Sequence, residues 1–417
     1  MRERSGAASV HMIVILVPVL FGLMGFALDL GRMYLVRGEL QAAANSMALA
    51  AAAKLIGTDA STDAATTAAQ LTLNDTNGYA NRYDFAGLKL GETTGSLSST
   101  VSDPGFFSTM ADATAADSTS GSVAGSAAKY ARVQITAEAP LVFWSFLPIA
   151  TDRKATIAAA AVAGVSAPLC VACGIQPMAI AARDTSDTVD FGYTTATRYT
   201  FAFSCTGNPT PTGLAGATSV VTYLVLDRLD PNPTAFTDEQ SQLFRIGANG
   251  LPGNPTESLA CFTINNTETI WATAIPGACS AASPPSDVFS MLCGVTTRFE
   301  SSLPAACSNI PDVDTLSTLY APDSDVSDIT DYTQYLGNGR RVITIPIVDA
   351  LSSAGSMTVL GFRQFLIEPD PNGVDITPAD RYGRFAAMYL GSVMPLRQGR
   401  FSGCTQTSGP GKVVLHQ

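Results

Sequence analysis

Eight cysteines are the side chains of this chain most able to do chemistry: Cys170, Cys173, Cys205, Cys261, Cys279, Cys293, Cys307 and Cys404. All lie beyond residue 165. An even number confined to one part of a chain suits a disulfide framework in an oxidising compartment. Cys170-Val-Ala-Cys173 also has the spacing of a redox pair or of half a zinc site. There is no second CxxC, and the two histidines are His11, inside an apolar run, and His416 near the tail. A site of two cysteines and two histidines is therefore excluded, an all-cysteine site is the weaker reading, and structural disulfides are expected. The sequence does not give their connectivity.

Other reactive constellations are sparse. A Ser-His-Asp triad needs a histidine well placed in the cysteine-bearing part, and His416 is a poor base. There is no GxSxG elbow, no phosphate-binding GxxxxGK[ST] loop and no HExxH. Two groups of oxygen ligands stand out: Asp323, Asp325, Asp328 and Asp331, and the run Asp370-Pro-Asn372-Gly373-Val-Asp375. Neither has EF-hand spacing; exposed loops are expected, with Ca²⁺ binding outside the cell through their hard oxygen ligands as the alternative. The expectation is a protein without cofactor that is not an enzyme. A net charge of −11 with only 14% charged residues also argues against nucleic-acid partners, which require a basic footprint.

What must position these residues begins at the N-terminus. Between Arg4 and Asp29 there is no charged residue, and Met12 to Leu28 is dense in Leu, Ile, Val, Phe and Met. With the uncharged residues from Ser5 onward it reaches the roughly 20 residues that a bilayer span needs. Pro18 and Gly22 are tolerated in such helices. Arg2, Arg4 and the terminal amine outweigh Glu3, while Asp29 and Glu39 offset Arg32 and Arg37, which favours a cytoplasmic N-terminus. No small-residue cleavage pattern follows the apolar run closely, so an uncleaved anchor is expected rather than a signal peptide.

Leu30 to Ile56 continues as helix without proline. Met33, Val36, Leu40, Ala43, Met47 and Ala50 recur at alternating spacings of three and four, a packing seam. Such a seam serves equally a stalk folded back on its own domain and one assembling laterally with other long helices. Together span and stalk would make one helix of about 70 Å at 1.5 Å per residue.

The order Asp29-Leu-Gly31-Arg32-Met-Tyr34, then Leu40-Gln41-Ala-Ala-Ala, then Ala48-Leu-Ala-Ala-Ala-Ala resembles the N-terminal segment of TadG-like proteins of the Tad (Flp) tight-adherence pilus system. Ahead of the apolar run the chain lacks the Gly followed shortly by Glu of a typical prepilin. The resemblance implies a non-enzymatic component of pilus assembly in a bacterial inner membrane. Its single span would sit in the bilayer, its bulk would be periplasmic or extracellular, and its stalk would meet other pilin-like or assembly proteins. An adhesin or ligand-binding module sharing only the anchor is the alternative.

Residues 58–165 read as a pilin-like α+β segment. A short helix is expected from about Asp63 to Asn74 and a polar loop over Thr114 to Gly125. Tyr130-Ala-Arg-Val133-Gln-Ile135-Thr alternates as a half-buried strand should, and Lys154 to Val165 would pair with it. Between them Leu141-Val-Phe143-Trp144-Ser-Phe146-Leu147 reads as a buried strand or core turn, with an interfacial or partner-binding patch as the alternative.

From residue 166 to 417 cysteines, prolines, glycines and short strands predominate, giving a disulfide-braced β-rich domain. Expected strands are Met178 to Ala182, Arg198 to Ser204, Ser219 to Leu226, Arg341 to Val348, Met357 to Ile367 and Arg384 to Leu390. Thr237-Asp-Glu-Gln240 has capping-box form and predicts one helix, and Asn338-Gly339 predicts a turn. Gly294-Val-Thr-Thr-Arg298-Phe299-Glu300 and Arg340-Arg341 with the strand that follows are similar to segments in the outer parts of some TadG-like proteins. Asp184-Thr-Ser186-Asp187-Thr188 is similar to the DxSxS ion site of von Willebrand A domains, but Thr188 replaces the last serine and the usual glycine is missing. An ordinary turn is expected there. The fold class is thus α+β: residues 1–57 anchor and stalk, 58–165 a small sheet, 166–417 the β-rich domain.

Overall fold

The computed structural model describes residues 5–73, 82–144, 154–229, 261–263, 271–274, 282–309, 323, 334–335, 340–391, 399–400 and 411–416, with short gaps within several of these ranges. Helix α1 runs unbroken over Ser5–Ala52, 48 residues, and carries Pro18 inside it. It is followed by α2, Ser61–Leu73, close to the expected limits. α2 lays Ala65, Ala69 and Leu73 against α1, the i, i+4 spacing that puts side chains on one face.

The first sheet is built on β3, Tyr130–Pro140, paired antiparallel along its length with β4, Lys154–Val165. This is the pairing the sequence predicts, with Val133 opposite Ala161. On the other side β1, Leu97–Val101, and β2, Gly105–Phe107, pair in succession with β3. Alternate residues of β3, namely Ala131, Val133, Ile135, Ala137 and Ala139, are buried beneath α1. A strand's period of two makes that possible: one face is apolar and the other polar.

Beyond residue 166 the six strands expected from sequence all form. They are β5, Met178–Ala181; β6, Arg198–Phe203; β7, Ser219–Leu229; β9, Val342–Val348; β10, Ser356–Glu368; and β11, Phe385–Tyr389. They close on themselves in the order β5, β7, β6, β11, β10, β9 and back to β5. Two of the six pairings, β6 with β7 and β5 with β9, are parallel. A short strand, β8 (Trp271–Ala274), joins β7 to β10. Closure removes exposed strand edges, and it is a feature that the β-rich reading did not contain.

The barrel's interior is aromatic. Phe201 stacks on Phe385 at 4.9 Å between ring centroids and meets Phe365 edge-on at 5.1 Å. Tyr199, Tyr223 and Tyr389 complete the cluster. Helix α3, Ser286–Thr296, adds Val288, Met291, Leu292 and Val295 to the same core, a stripe at spacings of three, one and three. This helix was not expected. The one predicted at Thr237–Gln240, the Asn338-Gly339 turn, Asp325, Asp328, Asp331 and the run 370–375 lie outside the described residues.

Strand β12, Val413–Leu415, returns to the first sheet and pairs antiparallel with β4 at its end. The ladder is extended by the Ser166 amide donating to the Lys412 carbonyl at 2.8 Å. The expected outer region, 166–417, therefore does not stay outer to its end: the barrel is inserted between two strands of the stalk's own sheet. A second junction is apolar, where Ile56 just past the stalk helix packs with Tyr335, Leu366, Met388 and Leu390 of the barrel region. The Thr58 hydroxyl donates to the Tyr335 carbonyl across it, at 3.0 Å.

Candidate functional site

α1 is the element whose residues were expected to bind partners, and it has two unlike faces. On the inner face Val36, Leu40, Ala43 and Met47 are at most 4% exposed, covered by β3, β4 and α2 of the same chain. Ala44, Ala48 and Ala51 fill the spaces between them. Met33 and Ala50 are half-buried at its margins. The seam is thus an intrachain one, and Leu40 and Met47 are not available to partner helices. A three-four spacing describes a stripe, and a sheet can cover a stripe as well as a helix can. Gln41 strengthens this packing by donating to the Ala160 carbonyl of β4 and to the Asn45 side chain, each at 2.9 Å.

Asp29 makes the most elaborate contact of the helix. Its carboxylate is 5% exposed and accepts from three successive backbone amides: Val142 at 2.9 Å, Phe143 at 3.0 and 3.2 Å, and Trp144 at 2.8 Å. A buried carboxylate is costly unless its lone pairs are satisfied, and this turn satisfies them. One helical turn earlier stands Gly25. A Cβ built there would lie 1.9 Å from the Phe143 ring, so only glycine admits the ring against the helix backbone. The described part of the aromatic run, residues 141–144, is therefore a turn latched to α1 and not the buried strand or core turn expected. Val142 is 47% and Trp144 41% exposed. Phe146 and Leu147 lie outside the described residues.

The outer face of α1 is mostly apolar, with Arg37 also exposed on it. Met24, Leu28, Tyr34 and Leu35 are exposed, and among the described residues nothing lies within 4 Å of a Cβ built at Gly31 or Gly38. Arg32 is half-buried. Toward the N-terminus nearly every large side chain from Val10 to Leu30 is exposed, in a helix long and apolar enough to cross a membrane. Residues 6–54 match the family model described as putative Flp pilus-assembly TadE/G-like. The chain carries a TadE/G-like anchor. The matched span covers the apolar band, Asp29 and the inner seam, and it runs just past the end of the helix at Ala52. No curated protein and no solved structure matches the chain. The TadE/G-like motif divides by face: Asp29, Leu40 and Gln41 bind the chain's own sheet and turn, whereas Gly31 and Tyr34 look outward.

Beyond the TadE/G-like segment, Cys293 is bonded to Cys307, fastening α3 to the segment after it. Cys205 is also disulfide-bonded, and no free cysteine is found among the described residues. The backbone register sets Cys173 opposite Cys261 in a small antiparallel sheet. The side chains of Cys170, Cys173, Cys261, Cys279 and Cys404 lie outside what is described.

Two polar clusters sit in the barrel region. Arg298, fully buried, donates to the Arg340 carbonyl and to Gln176 Oε1, the latter at 3.0 Å. Burial, and next the Arg340 charge, bring its pKa down to about 9. The two segments that resemble TadG-like outer parts thus meet in one buried cluster. Glu368 is wholly buried, with Arg198 Nε at 3.0 to 3.1 Å from its two oxygens. Burial outweighs that ion pair and raises its pKa to about 7. Sequence reading missed this pair because the partners are separated by 170 positions.

The Asp184 run is a turn, as expected. Asp184 accepts from the Ser186 hydroxyl and amide, and Asp187 from the amides of Val189, Asp190 and Gly192. Those donors hold both carboxyls below the usual range, led by the Ser186 hydroxyl for Asp184 and the Asp190 amide for Asp187. Arg363 closes the loop by donating to the Thr188 and Val189 carbonyls. No group of three or more metal-ligating side chains stands together among the described residues.

Proposed function

We propose that this chain is a non-enzymatic, single-pass component of a Tad (Flp) pilus assembly machine, a minor pilin-like or pilus-associated protein. It sits in a bacterial inner membrane with its N-terminus cytoplasmic and its bulk periplasmic or extracellular. The observation that carries this reading is the division of labour on α1. The TadE/G-like segment spends its inner face on the chain's own sheet and leaves an outer, mostly apolar face that no described residue covers.

The partner contact in this reading lies not on the seam but on the outward stripe Met24, Leu28, Gly31, Leu35, Gly38 and Ala42, at alternating spacings of four and three. Glycines at two of these places let another helix approach closely, as in membrane helix pairs. The barrel, with its filled aromatic lumen and disulfide, serves as a rigid outer body.

A photo-crosslinking residue placed at Leu35 in cells that build the pilus tests this. The expected products join it to the N-terminal helix of a pilin-like or assembly protein of the same system. They disappear when Gly31 and Gly38 are both changed to leucine, while the outer domain stays folded. Unchanged crosslinking and unchanged pili in the Gly31→Leu, Gly38→Leu variant would overturn the proposal.

A further inference from the structure

The turn Val142–Trp144 is the feature that neither the pilus reading nor the seam absorbs. Its two outward side chains, Val142 and Trp144, are about half exposed, yet its backbone is fixed by three hydrogen bonds to one buried carboxylate. Its place along α1 is informative. From Val10 to Leu28 the helix rises about 27 Å at 1.5 Å per residue, close to the roughly 30 Å of a bilayer's hydrocarbon. Phe143 covers Gly25 inside this band, and the amides bind Asp29, the first charged residue after it. The turn therefore lies where hydrocarbon gives way to headgroups.

We infer that the Val142–Trp144 turn is a membrane foot that inserts Trp144 and Val142 into the interfacial layer of the bilayer that α1 crosses. The partner is the lipid surface itself. Tryptophan favours that layer because its ring is apolar and its N–H finds acceptors there. The latch explains why an acid can stand at this depth: its charge is met by three amides rather than by water. The foot is carried by the same sheet that packs on the stalk, at the end of β3. It holds the sheet against the membrane and fixes how far α1 protrudes.

This inference rests on the single-pass reading, and its test separates the two. Trp144 and Trp271 are the two tryptophans, so Trp271→Phe leaves Trp144 as sole reporter in the full chain reconstituted in phosphatidylcholine vesicles. Lipids brominated near the carbonyls are expected to quench its emission about twofold more than lipids brominated near the chain ends, the pattern of an interfacial tryptophan. Asp29→Ala, which frees the turn, should abolish that preference. A companion chain with Leu16→Trp, Trp144→Phe and Trp271→Phe reports the span, and deep bromines should quench it most. Trp144 indifferent to bromine while the residue-16 reporter responds would overturn the foot and leave the span standing. Indifference of both reporters would overturn both. Should Trp271→Phe fail to fold, the difference between wild type and Trp144→Phe gives the same reading.

Discussion

The stalk unit and the barrel are both well packed, but with opposite materials. Between α1, α2 and the first sheet the core is mostly alanine: Ala43, Ala44, Ala48, Ala51, Ala65, Ala69, Ala131, Ala137, Ala161 and Ala163 are all buried. In the barrel the core is rings, with Tyr199, Tyr223, Phe201, Phe365, Phe385 and Tyr389 among the most buried side chains. Alanine contributes little apolar area per residue and loses no side-chain entropy, so the stalk core is favourable because backbones come close over a long contact. Rings contribute large areas each and demand a matching cavity. The stalk should be sensitive to added volume and the barrel to lost volume.

Four experiments would break or sharpen that contrast. Phe365→Ala should be the most damaging, costing about 3–5 kcal/mol of unfolding free energy. Chemical denaturation followed by tyrosine fluorescence or near-UV circular dichroism would read it, and a loss below 1 kcal/mol would contradict a ring-filled barrel. Replacing Cys293 and Cys307 together by serine opens a loop of sequence separation 14. The expected loss is about 3 kcal/mol, confined to oxidising conditions and read by the same denaturation.

Ala48→Leu inverts the barrel test by adding volume to the stalk, and should cost about 1–3 kcal/mol. Protease sensitivity of α2 and the first sheet should rise in that variant, and a neutral outcome would show slack in the alanine core. The smallest effect concerns Glu368. With its pKa raised to about 7, the folded barrel keeps a proton that the unfolded chain has lost above the ordinary carboxylate range. Its contribution to stability is present below about pH 4.5 and declines as pH rises toward 7. Glu368→Gln should remove this decline, a difference of at most about 1 kcal/mol per pH unit between the slopes of the two proteins. Parallel pH profiles would show that Arg198 holds the carboxylate ionised instead.

Much of the architecture was legible because its signals are local. The uncharged run, the alternation of β3, its small-residue partner β4 and the six barrel strands are each readable within about a dozen residues. What escaped is non-local. Barrel closure depends on two parallel pairings, β6 with β7 and β5 with β9, and nothing in a strand's own pattern names a parallel neighbour. The return of Val413–Leu415 is a strand of three residues, too short for alternation to show.

The candidate site was half legible. Asp29, Leu40 and Gln41 were picked out by their motif, but the contacts that explain them lie more than a hundred positions away, at Val142–Trp144 and Ala160. The aromatic turn was assigned to the core because composition does not distinguish a ring facing lipid from one facing protein. The seam's covering stayed open between the chain's own domain and partner helices because its spacing is blind to what covers it.

The strand Val413–Leu415 carries a consequence for biogenesis. As the chain is made, the outer edge of β4 is completed early, yet its hydrogen-bonding groups wait for a partner that is synthesised only after the whole barrel. The sheet packed on the stalk can close only when every intervening residue has been synthesised. A chain stalled or clipped within the barrel would display an open strand edge on the stalk's sheet, and so a local mark by which unfinished copies could be told from finished ones.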